Sequence, residues 1–202
     1  MADIIELILA DHARIRRLFA VLDDAVRDPG QPGACEMLSQ AWARLAGLIE
    51  LHAAAEEEIC YLALFGHGTG AMAELQSAIA DHDDIREGAR EAALHEVGSG
   101  NWWRAVTALR RASTEHMASE EQGVLAGFRR RARRTQRDDL ARQWVAFILA
   151  RTRDAALPGA VPGSATAWAA TPGSTGCGAS RATSGRDARK PRMHSRSSDG
   201  CG

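Results

Sequence analysis

From residue 3 to about residue 156, apolar positions recur every three or four residues and never alternate strictly with polar ones. That period belongs to helices packed through one face, so the chain reads as all-α. Four long segments, 3–28, 35–64, 71–97 and 102–133, are set apart by the turn-forming stretches DPGQPG, FGHGTG and GSGN. Asn101 is the expected N-cap of the fourth segment. A shorter fifth helix should open at Thr135, with Asp138 three residues on completing a capping box. Short connections make successive helices antiparallel, so the expected architecture is an up-down four-helix bundle with a short fifth helix.

The apolar stripes carry an irregularity. In the first segment Ile8, Ile15, Phe19, Leu22 and Val26 share a face, and His12 sits among them. The second runs Leu38, Trp42, Leu45, Ile49, then His52, Glu56 and Ile59, with polar residues at inward positions. Leu75 and Ile79 precede His82 in the third, and Trp102, Val106 and Leu109 precede His116 and Glu120 in the fourth. Counted from turns near residues 31, 67 and 99, each histidine lies about as far from its turn as the next lies beyond it. All four should therefore fall in one layer of the core, with Glu56 and Glu120 one helical turn along. The chain also repeats: DHARIRRLF at Asp11–Phe19 is similar to DHDDIREGA at Asp81–Ala89, and each is followed by HxxxEE. The layer should have pseudo-twofold symmetry.

Composition sets the bounds. Of the 202 residues, those from Leu157 onward are mainly Gly, Ser, Thr, Pro, Ala and Arg, with too few aliphatic side chains to form a core. We therefore expect one helical domain over 1–156 and a disordered tail over 157–202. A formal net charge of −1 gives no electrostatic ground for a nucleic-acid partner. The run RRRARR at Arg129–Arg134 fits a helix C-terminus, where the dipole favours cations. Four cysteines without CxxC spacing suit a reducing cytoplasm, and the longest apolar run, WVAFILA, is far too short to span a bilayer. Asp3 and Glu6 interrupt what would be the apolar stretch of a signal peptide.

Four imidazoles and two carboxylates cannot be buried together without compensation, because isolated buried charge is a problem of roughly tens of kcal/mol by Born estimates. A pair of cations removes the difficulty, with the two glutamates bridging them, two imidazoles on each, and positions left open for an exogenous ligand. Mixed nitrogen and oxygen donors suit iron, manganese or zinc better than calcium or magnesium.

The pattern His12, His52-x-x-x-Glu56, His82, His116-x-x-x-Glu120 resembles that of the hemerythrin-like, HHE cation-binding domains, over roughly Asp3 to Arg153. The resemblance implies a four-helix bundle holding two non-haem iron ions, with those six residues as the metal ligands. It also implies a small partner molecule: oxygen, nitric oxide or hydrogen peroxide. Arg86 stands where oxygen carriers have a further histidine, and Arg16 holds the equivalent place after His12, so the resemblance implies a more symmetric and open site. The same ligand set is similar to that of bacterial iron–sulfur cluster repair proteins, which leaves an iron or redox sensor acting on a partner as the alternative.

Residues around the six have plainer expected roles. Arg16 and Arg86 are expected either to pair with carboxylates such as Glu57 or Glu121 or to point outward, and Asp11 and Asp81 either to orient their neighbours or to lie on an exposed flank. Cys60 is expected as a packed thiol. Tyr61 falls opposite His52 on a helical wheel and is expected in helix packing, while His67 and His95 lie away from the layer.

Overall fold

A computed structural model describes residues 3–27, 33–65 and 71–156. The tail expected from residue 157, the turn containing His67 and the side chain of Val26 lie outside the described residues. The described chain is helical, with no strand, and folds as an up-down bundle. Helix α1 spans Ile4–Arg27 and α2 spans Ala34–Ala55, and these two pack along their length. A π-helical turn, Glu56–Cys60, and a short helix α3, Tyr61–Phe65, continue the second rod. Helix α4, Ala71–Ala93, packs on α5, Gly100–Gln122, to form the other pair. Helix α6, Val124–Arg131, extends α5 past a break, and α7, Arg134–Ala156, lies across α1, α2 and the π turn.

Local chemistry sets the ends of these helices. Asp3 caps α1, its Oδ1 accepting from the N–H of Ile5 at 3.0 Å. Ser99, not Asn101, caps α5: its hydroxyl accepts from the N–H of Trp102 at 3.2 Å, while Asn101 is already helical and instead accepts from Arg104. Gly98, with φ 87°, supplies the left-handed residue that reverses the chain just before that cap. The fifth long helix is not short. It starts at Arg134, so Thr135 lies inside it and does not cap it, and it runs 23 residues, as long as α5.

Two apolar clusters fill the bundle, one on each side of the histidine layer. The first gathers Ile15, Phe19 and Leu22 with Leu45, Trp42, Trp102 and Leu109. The second gathers Ile4, Ile5 and Ile8 with Tyr61, Leu64, Leu125 and Phe128, and α7 closes it with Leu140, Ala141 and Trp144. Arg137 of α7 reaches Asp3 at 3.3 Å, fixing α7 to the start of α1.

Ile79 was expected in the core and is exposed. The inward row of α4 is Ala78, His82, Ile85, Ala89 and Ala92, so an alanine holds the position that the larger Ile79 would claim by hydropathy alone. Small inward residues bring α4 close to α5. A Cβ placed on Gly88 would stand 3.3 Å from both Cα and Cβ of Leu109, so glycine is what permits this approach.

Candidate metal centre

The layer forms where it was expected. His12, His52, Glu56, His82, His116 and Glu120 are all buried, each at 6% exposure or less. His12 comes from α1, His52 from the last turn of α2, Glu56 from the first residue of the π turn, His82 from α4, and His116 and Glu120 from α5. Nε2 of His12 is 3.4 Å from Glu120 Oε2, and Nε2 of His52 is 3.3 Å from Glu56 Oε1. On the other side Nε2 of His82 is 3.3 Å from Glu56 Oε2 and 3.1 Å from Nε2 of His116, which is 4.0 Å from Glu120 Oε2. These donors form two groups, each with its ligand atoms within 4.8 Å of one another: His12, His52, Glu56 and Glu120; and Glu56, His82 and His116. Glu56 belongs to both.

Behind each ring stands a carboxylate. The Nδ1–H of His12 donates to Glu121 at 2.8 Å, and that of His82 donates to Glu57 at 2.8 Å. Asp81 lies 3.4 Å from Nδ1 of His116, and Asp11 lies 3.8 Å from Nδ1 of His52. This leaves Nε2 of each ring facing the centre, the arrangement that orients imidazoles as metal ligands. The arginines take the expected places: Arg16 donates to Glu121 at 2.8 Å, and Arg86 binds both oxygens of Glu57, at 2.8 and 3.1 Å, and Glu50 at 3.1 Å.

Whether these residues fit a cation is decided by their unused atoms. Both oxygens of Glu56, both of Glu120, Nε2 of His12 and both ring nitrogens of His52 are buried with no hydrogen-bond partner. Each such group costs roughly 1–3 kcal/mol in a folded interior, so a cluster of them in one layer calls for a ligand. Their chemistry, nitrogen and carboxylate oxygen, is that of a transition-metal site. The six residues fit the group that the spacing implies.

Electrostatics agree. Burial, reinforced by the Glu120 charge, pushes the Glu56 carboxyl well above its usual range. Burial acts on Glu120 in the same direction, but the nearby imidazole of His12, with those of His116 and His52, outweighs it and holds Glu120 low. Burial and the neighbouring His82 lower His116. Glu57 shows what its partners can do: burial would raise it, yet His82 and Arg86 bring it down to about 2.

Two features were not anticipated. Tyr61 is not turned away from the layer: its hydroxyl lies 3.0 Å from Nε2 of His82, and burial pushes its phenol strongly upward, keeping it un-ionised. The π turn is the cause. The N–H of Tyr61 bonds to the carbonyl of Glu56, five residues back, so one extra residue is taken up and Tyr61 is rotated by about 100° from its α-helical phase. No spacing in EEEIC signals that insertion. The second is Trp144 of α7, whose ring meets that of His52 edge-on at 5.7 Å between centroids. Cys60 is a buried thiol in the adjoining apolar cluster, and His95 pairs with Glu91 at 3.0 Å, away from the layer.

An all-α bundle with a buried histidine and glutamate cluster compatible with a metal site defines the class. The family model of the hemerythrin HHE cation binding domain matches residues 3–127, well over half of the chain, and the chain belongs to that family. No curated protein and no solved structure matches it significantly.

Proposed function

We propose that the chain holds two iron ions on His12, His52, Glu56, His82, His116 and Glu120, and that it binds or processes oxygen, nitric oxide or hydrogen peroxide there. The observation that carries this reading is the set of orphaned buried donors, divided into two groups that share Glu56. Manganese or zinc would satisfy the same donors. When bound, a pair of iron ions supplies redox chemistry and an open coordination position. The protein's part is to place the donors. His12 and His52 with Glu56 and Glu120 make a four-donor position, and His82 and His116 with Glu56 make a three-donor position with room for an exogenous ligand. Glu121 and Glu57 fix the proton of His12 and His82 on Nδ1, and the two apolar clusters pack on either side of the layer.

A second reading is a sensor without turnover, and the contact of Trp144 with His52 favours it, because a shift of His52 on metal binding or oxidation would reach α7 directly. No described helix is long and apolar enough to cross a membrane. Free Cys35 and Cys60 accord with our assignment to the reducing cytoplasm.

Elemental analysis of protein produced with iron supplied tests the main reading. We expect about two iron atoms per chain, with loss of one or both in His116→Ala. Negligible metal in the native protein would return the histidines to a packing role. Consumption of peroxide, abolished in Glu56→Ala, would separate turnover from sensing.

A further inference from the structure

A groove of about 410 Å³ runs along the bundle between α4 and the α5–α6 rod. Its floor includes His116 and Glu120, so it leads to the edge of the metal centre. A water molecule takes about 30 Å³ of liquid volume, so the space is more than ten times what a diatomic ligand needs and falls in the range of small-molecule pockets. Its walls are mixed: Leu64, Phe65 and Val124 are apolar, Ser77 and Ser119 offer hydroxyls, and Glu74 and Asp81 of α4 add carboxylates.

The far end is basic. Arg130 and Arg131 line it, and the position of a Cβ on Gly127 would be 2.7 Å from Nη1 of Arg131 and 3.9 Å from Nη2 of Arg130. Glycine there lets both guanidiniums lie over one patch of the groove. Arg131 is held in place by donating from Nη2 to the carbonyl of Leu64 at 3.0 Å. Among the described residues no carboxylate pairs with either arginine, and Glu74 on the opposite wall forms no ion pair with them. Two adjacent guanidiniums without a counter-charge are suited to a carboxylate or similar oxyanion, which they can grip through several N–H groups.

We propose that this groove binds a small organic anion with an apolar body, its anionic end on Arg130 and Arg131 and its other end directed toward His116 and Glu120. Ten to fifteen residues of α5 and α6 separate these two ends, roughly 15–22 Å at 1.5 Å per residue, so a medium-chain carboxylate held by the arginines occupies the basic end and part of the run toward His116. Only the direction toward a metal depends on the di-iron reading; the anion site itself does not.

Titration calorimetry of the full chain with sodium octanoate, with 1-octanol as the neutral control, tests it. The protein is used both iron-loaded and stripped by chelation, and iron content is measured on the same samples. The expected result is one octanoate site in both forms, weakened at least tenfold in the Arg130→Gln/Arg131→Gln double variant, with 1-octanol binding much more weakly. Both arginines are exposed, so helicity by circular dichroism should be unchanged in the variant. Absence of octanoate binding, equal binding by the double variant, or binding that vanishes only when iron is removed would each overturn the anion site. Failure of iron to load while octanoate still depends on the arginines would overturn the di-iron reading and leave the groove standing.

Discussion

The two halves of the site are built from the same parts and end differently. Asp11, His12 and Arg16 on α1 match Asp81, His82 and Arg86 on α4, and His52, Glu56 and Glu57 match His116, Glu120 and Glu121. Each half's single histidine is held by the second glutamate of the other half: His12 by Glu121 and His82 by Glu57. Beyond the glutamates the halves part. After Glu56 the chain winds into a π turn that buries Cys60 and brings Tyr61 onto His82, whereas after Glu120 it breaks at Gly123 and leaves the groove open beside His116. Duplicated ligands, then, do not give duplicated positions. One group gathers four candidate donors and the other three, and the groove reaches Glu120 of the first and His116 of the second.

The largest expected effect comes from Glu56, the one residue common to both groups. In Glu56→Ala both positions lose a carboxylate, and we expect iron to fall from about two atoms per chain to a small fraction of one, since outer partners alone already shift affinity by about 10–100-fold. Retention of a full atom would show that the groups do not share this residue. Single-histidine variants sharpen the contrast. His116→Ala should empty the three-donor position and leave about one atom in the other, whereas His12→Ala strikes the four-donor position and, through Glu120, disturbs its neighbour as well. Equal losses would mean that the two positions load only together.

The arginines come next. Arg86 is 15% exposed and grips Glu57 and Glu50, while Arg16 is 43% exposed and reaches Glu121 alone. Without Arg86, Glu57 loses the partner that helps keep it ionised behind His82, so Arg86→Ala should weaken metal binding by roughly 10–100-fold in a chelator competition. Arg16→Ala should change it by less than about threefold, as exposed ion pairs contribute little. A reversed order would mean that the Glu121 side governs affinity.

Much of this was legible in the sequence because it depends on period and distance from turns. Equal spacing about three turns placed His12, His52, His82 and His116 in one layer, whereas which glutamate each arginine takes, Glu121 for Arg16 and Glu57 for Arg86, emerged only in the fold. What escaped were departures from the α-helical period and competitions between neighbours. The π turn is one added residue, invisible to a wheel drawn at a constant 100° per residue. Ser99 outcompeted Asn101 because the turn through Gly98 delivers the chain one step earlier. Ile79 lost the inward place to Ala78, which lies on the same face as Leu75, His82 and Ile85. The length of α7 was understated because its apolar run is short, while Leu140, Ala141 and Trp144 suffice to cover one cluster.

The smallest expected effect tests the feature that breaks the symmetry. In Tyr61→Phe the ring still fills its place against Phe65 and His82, and only a hydroxyl is lost. One buried hydrogen bond contributes about 1 kcal/mol, so thermal stability should shift by a few degrees at most. If the hydroxyl acts as a neutral hydrogen-bond partner of His82, as its upward-shifted phenol implies, iron content stays at the native level and affinity at the three-donor position changes by less than about tenfold. Loss of one atom from that position alone would mean that Tyr61 is itself a donor to the metal. The three-donor position would then have four donors, and the two positions would be equal in donor number.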